Sequence, residues 1–503
     1  MMAKDILRSR LSDSLDEMAK YFLSSLQDDL AIVEEDILGT MAHDYMLFKQ
    51  KIITKEEIKL ILKALLEIKE DISKERFKLD DNYEDIHPLI EAKITEKIGI
   101  NAGGKVHSGR SRNDQVAVDI RLKLRTCLLE LRSRVLELVS VLESKSKKHL
   151  NTPFPLYTHL QPAQIGTFGH LLTGWTFELL RHASRLAECY QRTNLSPLGA
   201  CAIGGTSFPI DRDMTADLLG FSGIITNSMD AISSRDVLIE NVSNIASLFT
   251  LYSRISEDLI IFSSSEFKFV ELPDKFCSVS SVLPQKKNPD TLELIRANSA
   301  IAISTLNMQL VLAKGTPSGY NRDFQECKPP IWHLYNKIIV ATSLLARIIE
   351  GIELNIDNIK KSLEKSDLLA LDLAEYIAMN YNVPFRKTHE LLANITKYLQ
   401  SKGLNISSNW DGKDMEKIKG IAKEIVGNSN VIDEKFLKMK HGFESFGKRQ
   451  SAGSPNPRFV EEMIGIIARE NSTLKSNLSR EKTIIHDKIE LFFKNVKELV
   501  DSA

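Results

Sequence analysis

DQVAVDIRLKLRTCLLELRSRVLELVSVLESKSKKHL, residues 114–150, contains neither glycine nor proline. Val116, Ile120, Leu124, Leu128, Leu131, Val135, Leu138 and Leu142 recur through it at steps of three or four. That is the apolar stripe of an α-helix. A stripe sustained well beyond about 25 residues predicts a helix that runs a long way through a bundle. Residues 166–191, 234–262 and 291–314 carry the same periodicity, as do Ile58, Leu60, Ile61, Ala64, Leu65 and Ile68. No segment alternates convincingly at period two, so the expected fold is all-α. We expect three segments: an N-terminal helical domain at 1–113, a central long-helix bundle at 114–360 and a C-terminal helical domain at 361–503. The last is marked by a shift to Lys-rich sequence broken by Gly, Asn and Ser.

The 503 residues suffice for more than one core, and 43% hydrophobic with 26% charged residues excludes wholesale disorder. Lys plus Arg total 66 against 67 for Asp plus Glu, a net charge of -1, which argues against a nucleic-acid binder. The 5 cysteines lie far apart without a CxxC, so they read as reduced thiols and not as a disulfide framework or zinc site. Residues 1–10 lack the apolar stretch of a signal peptide, and no apolar run is long enough for a membrane span. These readings predict a cytoplasmic protein without membrane partners.

The 24 glycines and 15 prolines cluster between the helices, in polar loops of the kind that carry binding and chemistry. GGKVHSGRSRND (103–114) stops short of a phosphate-binding loop. Gly104, Gly109 and Ser111 fit, but Arg110 stands where the lysine belongs, and 91–100 reads as charged helix instead of apolar strand. Its better reading is a turn opening the long helix, whose N-terminal N–H groups, with Arg112 and Asn113, would orient an anion. A solvated turn with an N-cap is the plainer alternative. YTHLQPAQ (157–164) surrounds His159 with Thr158, Gln161 and Gln164, a plausible polar pocket wall. The 11 histidines show no metal-ligand spacing, and no metal site is expected. SVSSVLPQKKNPD (278–290) joins paired serines to Lys286 and Asn288, groups able to stabilise an oxyanion and lower a serine's proton affinity. GYNRDFQECK (319–328) suits a carboxylated, hydrogen-bonding ligand.

In this order the loops resemble the fumarase/aspartase superfamily and, within it, the argininosuccinate lyase family. The match spans most of the chain. Glu84-Asp85-Ile86-His87 with the 103–116 segment is similar to the family's first block, and YTHLQPAQ to the second. Pro197-Leu198-Gly199 and Asn227-Ser228-Met229-Asp230-Ala231 follow the subgroup, and SSVLPQKKNPD resembles the superfamily signature loop. Residues 372–376, 383–386 and 389–390 are family-like as well.

The resemblance implies a reversible, cofactor-free β-elimination that splits argininosuccinate into arginine and fumarate. It also implies a homotetramer whose active sites each draw loops from three subunits. Carried over by position, it implies Ser280 as base, with Lys286 and the helix near Thr291 as candidates to stabilise its alkoxide. Lys286 and Asn288 would bind the fumarate-side carboxylates, and Thr158 and His159 would serve substrate binding and acid catalysis. Arg112 and Asn113 would contact a carboxylate, while Tyr320, Gln325 and Lys328 would hold the amino-acid end. Thr40, in GTMAH (39–43), stands where the family usually has a serine. Three departures stand out. Val279 replaces a glycine, which would strain a loop needing positive φ, and Ser234 and Cys327 stand where acids are common. The rival readings are another superfamily lyase, such as adenylosuccinate lyase, and a catalytically silent, crystallin-like structural protein.

Overall fold

The computed structural model describes residues 15–502; the N-terminal stretch 1–10 and the start of the 1–113 segment lie outside the described residues. The predicted long helix is present as Arg112–Lys148. Ser111 caps it: its Oγ accepts the Asn113 N–H at 3.4 Å, and Asp114 reaches back to the Ser111 N–H at 2.9 Å. This reciprocal box satisfies donors that the first helical turn would otherwise leave orphaned. Leu124, Leu128, Leu131, Val135, Leu138 and Leu142 are all fully buried. Each contributes on the order of 1.5–3 kcal/mol of hydrophobic stabilisation. They face helices Phe168–Thr193 and Lys328–Gly351, while Asp236–Ser263 and Asp290–Ala313 pack against each other to complete the bundle. The four long helical stretches expected from periodicity lie within two residues of the observed bounds.

The polar stretch after the long helix, expected as an irregular break, is a β-hairpin. Pro153–Thr158 pairs antiparallel with Gln161–Thr167. Three prolines and a run of polar residues hide its alternation from sequence reading. Its base is anchored by Phe154, whose ring lies 5.3 Å from Phe168, 5.1 Å from Phe262 and 5.8 Å from Phe269. Gly166 permits the crossing, since a Cβ there would stand 2.6 Å from Leu156 Cδ1. The tip projects from the bundle. Because the rest is helical apart from this ribbon and two-residue ladders, the all-α expectation holds.

The N-terminal helices Val33–Lys49, Lys55–Ser73 and Ile86–Ile98 build a second core. Beyond the bundle, 361–503 divides in the fold. Helices from Ala370 to Met439 group together, but the last helix, Pro457–Asp501, returns along the long helix. Arg132 Nη1 donates to Glu481 Oε2 at 2.5 Å, Lys475 Nζ to Ser140 Oγ at 2.6 Å, and Phe492 meets Tyr45 edge-on at 5.6 Å. Phe492 and Val496 are thereby part of the N-terminal core. Among the described residues, no helix is long and apolar enough to cross a membrane.

Arg132 is 2% exposed and Glu481 only 15%, so deleting one partner leaves a poorly solvated charge. Arg132→Ala is expected to cost about 3–5 kcal/mol in urea unfolding. A loss below about 1 kcal/mol would mean that this pair does not fasten the last helix.

Candidate active site

The start of the long helix is a polar joint. Asp114 Oδ2 accepts the N–H groups of Gly199 at 3.0 Å and Cys201 at 2.8 Å, and Asn113 Nδ2 donates to Ala202 O at 2.9 Å. The loop after residue 197 is thus tied to the same turn that carries Arg112. Burial pushes the Asp114 carboxyl up to about 6, against the opposing pull of these N–H groups and of Arg110. Arg112 Nη1 donates to Gln115 Oε1 at 3.1 Å and lies 3.7 Å from Asp85 Oδ1. The expected anion site on free helix N–H groups is corrected here: Ser111 and Asp114 close the turn with their own side chains, so the plainer N-cap reading describes it.

Beneath this turn, Arg110 is buried and donates to Thr40 Oγ1 at 2.8 Å. Thr40 is therefore held inside the protein and not presented in an open pocket. Asp36, Asp44, Glu91 and Asp119 all feel the Arg110 charge, yet burial raises the pKa of each. Neither oxygen of Asp44 has a hydrogen-bond partner, and burial raises its pKa well above the usual value.

The 319–328 segment reaches the N-terminal region. Lys328 Nζ meets Asp29 Oδ1 at 2.5 Å with both side chains buried, and Ser25 Oγ donates to Asp29 Oδ2 at 2.7 Å. Gln325 Nε2 donates to Leu23 O at 3.2 Å; Arg322 reaches the same oxygen at 2.8 Å and Glu84 Oε2 at 2.9 Å. Tyr320 packs edge-on to Phe324 at 6.4 Å. Asp29 carried no sequence signal that marked it. Asp119 did, as an acid among the apolar residues on the long helix.

Thr158 and His159 stand at the exposed hairpin tip. His159 and Leu160 both have φ of 55°, the two left-handed residues of a type I′ turn, where Asn-Gly would be the relaxed choice. The signature loop forms another exposed tip. Ser278–Val279 pairs with Lys287–Asn288, so Val279 is a strand residue without positive φ and the predicted strain is absent. Ser280 N–H donates to Lys286 O at 3.2 Å, while Ser280 Oγ accepts the N–H groups of Val282 at 3.3 Å and Leu283 at 3.1 Å. The groups at the serine oxygen are thus backbone amides, not Lys286 or the helix at Asp290–Ala313, because the tight turn aims the amides inward and leaves Lys286 exposed.

One chain therefore brings Arg112, Asn113, Gln325 and Lys328 into its rigid frame, with Tyr320 packed beside them. Thr158 and His159 lie on one projecting tip, and Ser280, Lys286 and Asn288 on another. Among the described residues, no hydrogen bond joins one group to another. Asp36, His87 and Asp119 bring three potential metal-ligand atoms within 4.8 Å of one another, as do Asp29, Asp85 and His87. His87 spends both ring nitrogens on carboxylates, however, and Lys328 occupies Asp29.

A family described as lyase matches residues 9–303, and the argininosuccinate lyase C-terminal family matches 367–439. The argininosuccinate lyase of Methanocorpusculum labreanum is 39% identical, covering 92% of this chain and 93% of its own. That of Nitrosopumilus maritimus is 38% identical, covering 98% and 100%. The chain belongs to the argininosuccinate lyase family. Its fold agrees with that family's wider group. A crystal structure of EDDS lyase in complex with formate matches with a TM-score of 0.85 and 26% identity, covering 94% of this chain and 92% of that one. A class II fumarase from Schistosoma mansoni, at 16% identity and a TM-score of 0.67 over 80% and 90%, shares the fold alone.

Within this argininosuccinate lyase family frame, Asp114 gives a pH prediction. Its folded pKa of about 6 lies above the ordinary 3.8. Its contribution to stability is therefore fully present below about pH 4 and lost as pH rises through about 6. Asp114→Asn should flatten that part of the decline in urea stability between about pH 4 and 7. An unchanged slope would show that Asp114 does not titrate in this window.

Proposed function

We propose that this chain splits argininosuccinate reversibly into arginine and fumarate, with Ser280 Oγ as the base. The observation that carries the mechanism is the pair of N–H groups aimed at that oxygen. A serine hydroxyl is far too weak an acid to give an alkoxide in water, and two fixed amide dipoles favour the charged form. The alkoxide takes the proton from the carbon next to a carboxylate, and negative charge spreads into that carboxylate. Lys286 and Asn288, on the same short ladder, hold the fumarate-side carboxylates as charge builds. The C–N bond then breaks with its electron pair going to the guanidinium nitrogen, which takes a proton from an acid at the Thr158–His159 tip. Arg112 and Asn113 bind a carboxylate, and Tyr320 and Gln325 the amino-acid end. Lys328 and Thr40, engaged with Asp29 and Arg110, belong to the frame beneath that end.

The separated groups fit a homotetramer in which loops of different copies complete each site. Helix Asp290–Ala313 supports this, since Leu294, Ile301 and Met308, seven residues apart and so on one side, are 65%, 44% and 36% exposed. Such an apolar face on a bundle helix fits burial against another copy. All five cysteines are unpaired, in keeping with a reducing, cytoplasmic setting. The adenylosuccinate and silent-crystallin readings lack an observation in their favour, whereas the C-terminal family match and the armed Ser280 oppose them.

The test is fumarate absorbance after adding argininosuccinate to the purified protein. Wild type should turn over, and Ser280→Ala should lower kcat roughly 100- to 10,000-fold while substrate still binds. Turnover of adenylosuccinate instead would sink the assignment, and near-normal kcat in Ser280→Ala would place the base elsewhere.

A further inference from the structure

His87 is a fully buried histidine to which the proposed reaction gives no part. It stands in the first turn of helix Ile86–Ile98. Its Nδ1 is 2.7 Å from Asp85 Oδ1 and its Nε2 is 3.0 Å from Asp119 Oδ2. The same Asp85 oxygen accepts the His87 backbone N–H at 3.0 Å and lies 3.7 Å from Arg112 Nη1. An unbroken line of polar contacts therefore runs from the interior of the bundle to a candidate substrate cation. Asp85 also lies within 4.8 Å of the Asp29 carboxylate, whose charge Lys328 balances.

Asp119 sets the direction of this line. It is wholly shielded from water, and its second oxygen has no partner. Burial, with the Asp36 charge beside it, raises its pKa well above the ordinary carboxylate value. With the Asp119 O–H donated to Nε2 at 3.0 Å, Nδ1 is the nitrogen whose N–H faces Asp85 at 2.7 Å. The opposite tautomer would turn a nitrogen lone pair towards the Asp85 carboxylate. Asp85 would then swing away, leaving Arg112 with only Gln115 to hold it.

We propose that His87 and Asp119 are positioning residues, in which the buried acid fixes the imidazole tautomer so that Nδ1–H holds Asp85 against Arg112 at the carboxylate-binding corner. The proposal rests on the lyase reading, in which Arg112 contacts substrate. Its effect falls on binding, because Ser280 and its amides lie on a separate tip.

Two substitutions at one position separate this role from simple packing. The amide nitrogen of asparagine falls near the place of Nδ1, and that of glutamine near the place of Nε2. His87→Asn therefore keeps a donor to Asp85 and His87→Gln loses it, although both remove the same ring. With wild type turning over argininosuccinate and both variants folded by circular dichroism, His87→Gln is expected to show a KM at least about fivefold above that of His87→Asn. The kcat values should agree within about twofold. A KM ratio below about twofold overturns the positioning role alone. Absence of wild-type turnover overturns the lyase reading and this proposal with it. Should the His87 variants fail to fold, Asp119→Asn, which can still donate to Nε2, against Asp119→Leu, which cannot, carries the same test with the same ratio.

Discussion

Asp114 sits in the first turn of the long helix with its carboxyl out of water and both oxygens committed. One closes the capping box on Ser111, and the other takes two N–H groups from the loop at Gly199 and Cys201. The remaining polar architecture depends on this joint. It fixes where the helix begins, and hence which way Arg112 and Asn113 face. It also holds the 197–202 loop against the turn, with Asn113 adding its bond to Ala202. A helix entered one residue earlier or later would rotate its side chains by about 100° and take Arg112 away from Asp85.

From that joint the molecule separates two physical tasks. The frame under Arg112 is built of buried ions and acids: Arg110 with Thr40, Lys328 with Asp29, and Asp119 with His87. Burying charge this way costs desolvation energy and gives fixed geometry in return. The two projecting tips are different. They are short antiparallel turns exposed to solvent, and one of them turns two backbone N–H groups onto Ser280 Oγ by local geometry alone. In the proposed reaction, a buried frame for binding and separate exposed turns for proton transfer suit an elimination, whose charge moves from carbon to carboxylate and nitrogen.

The long helices were legible because a stripe such as Val116 to Leu142 repeats over many turns, and no local exception can mask it. The hairpin at Pro153–Thr167 was not, since its prolines and polar residues resemble a loop and its stability comes from Phe154 packing far along the chain. The candidate residues could be named from motif resemblance, but their engagement could not. Thr40 and Lys328 are satisfied by Arg110 and Asp29, partners 70 and 299 residues distant. The strain expected at Val279 vanished for a related reason: its backbone is set by pairing with Lys287, which the residue type alone does not reveal. Buried acids such as Asp29 become visible only when the surrounding elements are in place.

One chain holds its proposed base, its hairpin tip and its binding frame apart, and in the proposed homotetramer different copies complete each site. Mixing two inactive variants, Ser280→Ala and His159→Asn, under conditions that dissociate and reassociate subunits tests it directly. Fumarate release from argininosuccinate is expected to return in the mixed assembly, because some sites would draw an intact Ser280 and an intact His159 from different chains. Mixtures as inactive as their parents, despite demonstrated subunit exchange, would contradict it.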